Sequence, residues 1–287
     1  MSVFIQQFLN GMVLGSIYGL VALGLTLVYG ILHVPNFAHG AFYMVGAYVS
    51  FTLMNAMGVN YWVAMAGAAA VVAVLSVLSE RLVFNPLRHA PPIHDKIAAI
   101  GILLFLEAGV QAIYGADFHR MPTPYNGAVS FGGIFMQEQR LLIIIGALSL
   151  MALLHLFLKR TMVGSTIIAM AQDREGAFLV GIDSNKVAMM TFAIAGALAA
   201  VAATLYAPIN LVSPAMGHLV IMKAFVIIIV GGMGSIPGAI IGGMIIGFAE
   251  ALGAFYISTD YKDIIAFALL VVILSIRPEG LFTKGTR

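Results

Sequence analysis

Four ionisable side chains stand within or at the edge of long apolar stretches of this sequence: His39, Glu107, Lys223 and Glu250. A charge is costly to hold in hydrocarbon, so such a group either marks a path for a solute or ion or is paired inside the protein. Glu250 and Lys223 lie on blocks joined by a glycine-rich turn, which allows an internal ion pair. A snorkelling Lys223 and a place for both on a solute path are the other readings. Glu107 reads as a structural group, neutral or paired. Hydrolytic chemistry finds no support, because no two carboxylates have the spacing of an acid and base pair and no His-Glu-x-x-His occurs. The sequence has no cysteine, which removes thiolate nucleophiles, disulfides and Cys-ligated metals. No residue is assigned as catalytic or as a metal ligand.

Two polar or glycine-rich breaks carry more information. Val230-Gly231-Gly232-Met233-Gly234-Ser235-Ile236-Pro237-Gly238 looks like a phosphate cradle but lacks the Gly-Lys-Ser/Thr ending that would set a cation and a hydroxyl on a nucleotide. It reads as a tight turn between helices, with Gly231, Gly234 and Pro237 as its shaping residues, or as a gate. In His33-Val34-Pro35-Asn36-Phe37-Ala38-His39-Gly40, Pro35 removes an amide donor and Asn36 can cap a following helix. His39 then sits one turn into that helix, near its positive dipole end. Asn36 and His39 are a structural cap and a satisfied histidine, or they flank a path beside a broken helix.

The elements that position these residues follow from composition. The chain has 287 residues, of which 61% are hydrophobic and 9% charged, with a mean hydropathy of +1.03. A soluble domain carries roughly 25% charged residues to face water. This chain is an integral membrane protein. Apolar blocks run near 8–29, 37–54, 61–79, 97–114, 141–158, 187–206, 219–231, 239–257 and 264–276, two of them short enough to be re-entrant or tilted. The expected fold is an all-α polytopic transmembrane helix bundle of about eight spans, within a range of 8–10. The N-terminal residues lack the basic region of a cleavable signal, so the first block is kept as a helix. The net charge of +2 without a basic run leaves no footprint for nucleic acid. Polar stretches between blocks are too short for a soluble domain, so residues 1–287 read as one transmembrane domain.

Positive charge sets orientation. Arg81, Arg88 and Lys96 share one loop, Lys159, Arg160, Arg174 and Lys186 a second, and Arg277, Lys284 and Arg287 the tail. These regions, and with them the C-terminus, are expected on the cytoplasmic side, and residues 115–140, with Pro122, Pro124, Tyr125 and Asn126, on the outer side. Gly15-Ser16-Ile17 and Gly234-Ser235-Ile236 repeat three residues, too few for paired halves. Gly11, Gly15 and Gly19 form one small face, and Ala239, Gly243, Gly247 and Ala251 another; such faces are helix contacts or path lining. In the loop 159–186, residues 165–181 read as a short amphipathic helix with Ile168, Ala171, Glu175 and Phe178 on one side, able to dock into a partner or lie on the membrane surface.

Taken together, Tyr29-Gly30-Ile31, Asn36-Phe37-Ala38-His39-Gly40, Met222-Lys223-Ala224-Phe225, the glycine string through Ala239, Gly242-Gly243, Glu250 and Tyr261-Lys262-Asp263 resemble the LivH-type permease subunit of branched-chain amino acid ABC importers. The resemblance runs through the whole chain in the same order. It implies a subunit of the bacterial inner membrane that pairs with a second, LivM-like permease, two cytoplasmic ATPase subunits and a periplasmic substrate-binding protein. No cofactor would bind this chain, since ATP and magnesium would be held by the ATPase partners. The loop 159–186 would be the coupling segment, with Glu175-x-Ala177-x-x-x-Gly181 similar to the Glu-Ala-Ala-x-x-x-Gly core and Phe178 within it. Ile168 precedes Ala169 where relatives often carry arginine, leaving Arg174 as a possible substitute. A sparse polar inventory also suits a path for an apolar amino acid. The same machine with another small solute (an amide, urea or an aromatic acid), an ion-coupled carrier using Glu250 or Glu107 as a proton relay, and a non-transport scaffold are the competing readings.

Overall fold

The computed structural model describes residues 2–32, 35–88, 90–123, 125–131 and 134–282. His33, Val34, Pro124, Lys284 and Arg287, used above for the helix break, the outer loop and the charged tail, lie outside the described residues. The chain is an all-α helix bundle carrying one small hairpin. Helix α1 spans Ser2–Leu32 and α2 Ala38–Asn55. Helix α3, Tyr61–Ser79, continues through a π-helical turn at Glu80–Phe84 into a last turn at Asn85–Leu87. Helix α4 covers Pro92–Tyr114, and strands β1 (Ala128–Phe131) and β2 (Ile134–Gln137) pair antiparallel before α5, Glu138–Arg160. Then come α6 (Met162–Gln172), α7 (Arg174–Leu179), α8 (Ser184–Tyr206), α9 (Met216–Gly231), α10 (Ile236–Tyr256) and α11 (Lys262–Ile276).

Among the described residues, six helices are long and apolar enough to cross a membrane; α2, α9 and α11, with 18, 16 and 15 residues, are not among them. The 31 residues of α1 give about 45 Å of length, more than the ~30 Å of bilayer hydrocarbon. Its apolar window is 89% buried within the chain, against 17% for that of α4, so α1 is the axis of the bundle and α4 its periphery. The reason lies in the glycines. A Cβ on Gly243 would come within 2.5 Å of the Gly19 Cα, one on Gly15 within 2.9 Å of the Met244 Cα, and one on Gly247 would overlap the Gly15 backbone. The small faces of α1 and α10 thus meet backbone to backbone, antiparallel, where lipid offers no hydrophobic drive and only close contact holds helices together.

The α9–α10 turn is built the same way. Gly231 and Gly238 cross so closely that a Cβ on either would overlap the other's carbonyl. Gly232 and Gly234 take φ of 98° and 82°, a region L side chains avoid, while the Ser235 hydroxyl accepts from Gly238 N at 3.1 Å and Pro237 enters the first turn of α10. Exposed carbonyls at the end of α9 are met by the tail: Leu281 N donates to Val230 O at 2.9 Å and Phe282 N to Gly231 O at 3.1 Å.

The break before α2 lies deep in the bundle. His39 is fully buried, with Nε2 3.1 Å from Val21 O and its ring against Gly24. Gly24 stands eight residues before the end of α1, about 12 Å from it along the axis. Asn36 is buried; its Oδ1 accepts from Ala38 N at 3.1 Å, although the formal cap position is Phe37. Gly40 and Gly217, in the first turns of α2 and α9, are in backbone contact at the same level.

Several expectations are corrected. Residues 165–181 are not one helix: Asp173 ends α6 and caps α7, its Oδ1 accepting from Gly176 N at 3.0 Å. The stretch 80–96 is mostly helical, because Glu80 pairs with Arg88 at 2.8 Å and can be kept within a helix despite its charge. The segment 115–140 contains the β-hairpin, held to the bundle by Gln139 on α5, whose Nε2 donates to Tyr61 Oη at 3.2 Å and Leu205 O at 3.0 Å.

These contacts predict that Gly247→Leu destabilises the protein by about 1–3 kcal/mol through overpacking, read as a lower detergent melting temperature. Gly109→Leu on α4, where an added Cβ meets nothing within 4 Å, is expected to leave melting unchanged. His39→Ala removes the bond to Val21 O and is expected to cost about 1–3 kcal/mol of stability. Normal melting with lost transport would instead place His39 against the solute.

Candidate functional site

Four helices converge on one buried cation. From α9, Lys223 Nζ donates to Glu250 Oε1 of α10 at 2.7 Å and to Tyr18 Oη of α1 at 2.9 Å, and lies 2.9 Å from Asp263 Oδ1 of α11. Nζ also sits 5.1 Å from the centre of the Tyr18 ring, within cation–π range. The glycine contacts make this possible: with α1 and α10 at backbone distance, Tyr18 and Glu250 reach the same point. A buried ion pair is stabilising only when its remaining hydrogen-bond positions are filled. That is not fully so here, since Glu250 Oε2 has no hydrogen-bond partner and Asp263 Oδ1, though close to Nζ, is not aligned for one. The Asp263 side chain is 41% exposed while those of Lys223 and Glu250 are 9% and 4% exposed, so one end of the cluster is open.

It opens into a cavity of about 860 Å³. Leu14, Leu219, Val220 and Ala251 supply apolar wall, and Asn210 and Ser213 come from the loop after α8. Ala116 and Phe118 follow the end of α4. The mouth therefore lies at the end of the bundle opposite the segments that carry Arg88 and Arg174. At the rim Glu107 Oε2 meets His218 Nε2 at 2.6 Å, linking α4 to α9. Among the described residues no three His, Cys, Asp or Glu side chains converge as metal ligands, and the two carboxylates here face a lysine instead.

A second cavity, of about 950 Å³, lies at the arginine-bearing end between α7 and the end of α3. Arg88, Arg174, Glu175, Phe178 and Gly181 line it, and Arg88 ties Glu80 to Asn185 across its back. Burial lowers the Arg174 pKa from its usual value, and the neighbouring Arg88 lowers it further. The Asp183 carboxyl, which caps α8, is held below the usual range first by the hydrogen bond from Lys186 N and then by that from Asn185 N. Phe178, Leu179 and Val180 are exposed, at 69%, 84% and 77%, while Ala177 is buried against the bundle. Gly181, at φ 86°, turns the chain back toward α8.

The sequence candidates thus separate into groups. Lys223 and Glu250 come together on the first cavity, and Arg174, Glu175, Phe178 and Gly181 on the second, with Ala177 beneath them. Asn36 and His39 line neither; they are buried at the start of α2. Gly11, Gly15, Gly19, Gly243 and Gly247 lie in the α1–α10 contact, and Gly231, Gly234 and Pro237 in the turn. Sequence reading missed Tyr18, Asp263 and His218 as partners. The signal for Asp263 was its place in Tyr261-Lys262-Asp263, at the polar head of a short apolar block.

Comparison with known proteins identifies the family. Residues 7–274 match the family model described as branched-chain amino acid transport system, permease component. The chain is 38% identical over 98% of its length to the high-affinity branched-chain amino acid transport system permease protein LivH of Escherichia coli, covering 96% of that protein. It is 31% identical over 96% of its length to a probable branched-chain amino acid transport permease protein of Methanocaldococcus jannaschii, covering 92% of it. Its fold resembles a solved chain of PsaBC from Streptococcus pneumoniae in complex with Fab, with a TM-score of 0.52 at 13% identity, over 94% of this chain and 91% of that one. At that identity the likeness is one of fold. The two full-length sequence matches and the family model agree, and this multi-pass membrane chain belongs to the family of branched-chain amino acid transport permease components.

Proposed function

We propose that the chain is the permease subunit of an ATP-driven importer that carries branched-chain and other hydrophobic amino acids across the bacterial inner membrane. The observation that carries this reading is the outer cavity: apolar walls with the Lys223 ammonium and its carboxylates at the inner end. An aliphatic side chain needs the walls, and a zwitterion needs a few fixed charges. The polar relay a proton-coupled carrier would use is not favoured, since Glu250 and Glu107 each face a basic partner, Lys223 and His218.

In this reading α2, α9 and α11 cross with the six long helices, the tail is cytoplasmic, and the outer cavity faces the periplasm, where a substrate-binding protein delivers the solute. A second, LivM-like permease covers the exposed apolar face of α4, on which Ile97, Leu104 and Phe105 project outward. Residues 159–186 couple to two ATPase subunits, which bind ATP and magnesium. The 950 Å³ cavity is the seat of that contact: Phe178 and Leu179 offer an apolar anchor, and Arg88 and Arg174 flank it with positive charge.

Phe178→Glu is expected to lower uptake by about tenfold or more, with ATPase subunits lost on co-purification and membrane insertion retained. Normal co-purification and uptake would remove the docking role. Uptake by vesicles containing the whole complex is expected to persist when the proton gradient is collapsed and to stop when the ATPase subunits are omitted; the reverse pattern would favour an ion-coupled carrier.

A further inference from the structure

We infer that Lys223, Glu250 and Asp263 form an exchange site for the charged end of an α-amino acid. The solute carboxylate replaces Asp263 on the Lys223 ammonium, and the solute ammonium takes the freed Asp263 carboxylate together with Glu250 Oε2. This inference rests on the importer reading above and specifies where in the chain the zwitterion is held.

Three observations lead to it. First, the partners of Lys223 are unequal. Glu250 Oε1 and Tyr18 Oη are hydrogen-bonded to Nζ, whereas Asp263 is near Nζ without alignment and is 41% exposed to the cavity. Asp263 is therefore the partner most easily displaced. Second, Glu250 Oε2 is an acceptor without a donor on a side chain only 4% exposed, a vacancy that suits an incoming N–H group. Third, the wall beside the cluster is aliphatic: Leu14, Leu219, Val220 and Ala251 line the same cavity, on the side where the solute side chain would extend.

The electrostatics favour exchange over simple entry. A bare amino acid zwitterion entering a low-dielectric cavity would lose hydration at both ends, and a lysine stripped of its carboxylates would be left unpaired. Exchange keeps every charge in contact with an opposite one throughout, because the solute brings one of each sign. Lys262 also lines the cavity, so a second cation stands there besides Lys223. A neutral amide or urea would offer no anion to take the place of Asp263 on Lys223. The site therefore selects for a free carboxylate beside a free ammonium.

The test uses the complete complex with its ATPase and binding-protein partners in vesicles. Glu250→Gln leaves Tyr18 and Asp263 beside Lys223 and is expected to lower the maximal leucine uptake rate by about tenfold while the assembled complex is recovered in the parent's yield. Uptake within twofold of the parent complex would overturn the site. The paired change Lys223→Met with Glu250→Leu separates site from strut. A purely structural ion pair is replaceable by apolar residues, so normal uptake by the paired variant would overturn the inference, and assembled complex without uptake would support it. With the ion cluster untouched, Ala254→Cys on the cavity wall reports occupancy. Saturating leucine is expected to slow its modification by a maleimide while leucinamide does not; equal rates for both would overturn the site. A parent complex that imports no amino acid on ATP would instead sink the importer reading itself.

Discussion

The backbone contact between α1 and α10 is the constraint on which the arrangement depends. Gly15 and Gly19 face Gly243 and Gly247, and Gly15, Gly243 and Gly247 leave no room for a single methyl group. In water such a contact would be a minor detail of packing. In a bilayer, lipid tails solvate apolar side chains as well as another helix does, so close approach of backbones is one of the few sources of helix association. It draws the two helices together along most of their length, and α1 becomes the buried axis against which α5, α8 and α9 also pack. Tyr18 and Glu250 are one turn or less from the glycines on their respective helices, so the same contact that holds the bundle brings a hydroxyl and a carboxylate to Lys223.

The two cavities sit at opposite ends of this axis and differ in kind. The one beside Lys223 is apolar with a small set of charges that are not all hydrogen-bonded; the other is framed by Arg88 and Arg174 and by an exposed apolar turn. They share a helix: α8 begins beside the cavity lined by Arg88 and Arg174, where Asp183 caps it and Asn185 holds Arg88, and ends at Tyr206 beside the cavity that holds Lys223. Movement of α7 against α8 would thus be transmitted along a rigid element to the region of Lys223. The polar side chains that cross between helices, such as Ser76 donating to Phe192 O at 2.7 Å, fix α3 to α8 and make that element stiff.

Much of the fold was legible because hydropathy in a membrane chain is a strong signal. Every apolar block became a helix, and the small faces of α1 and α10 could be read from spacing alone. What failed was local. Glu80 and Arg81 look like a loop in one dimension, yet Arg88 eight residues on neutralises Glu80 and the helix continues through a π turn. Apolar periodicity runs on through Asp173, concealing a capping residue that starts a new helix with a new direction. At the site, Lys223 and Glu250 stood out as charges in apolar surroundings. Asp263 did not, because it lies at the head of its block among polar neighbours, and only the tertiary path of α11 returns it to Lys223. His39 illustrates the opposite case: its position at a helix break drew attention in sequence, and the structure shows it buried against Gly24, away from both cavities.

The central claim is that this chain is a lipid-embedded conduit with a solute cavity on one face of the membrane and its drive applied from the other. Because the sequence has no cysteine, single cysteines report sidedness without background. Ser213→Cys, at the outer cavity, should be modified by a membrane-impermeant maleimide added to intact cells. Asn185→Cys, at the arginine-framed cavity, should be modified only after the inner membrane is opened. Labelling of Asn185→Cys in intact cells, with Ser213→Cys protected until lysis, would reverse the orientation and contradict the account.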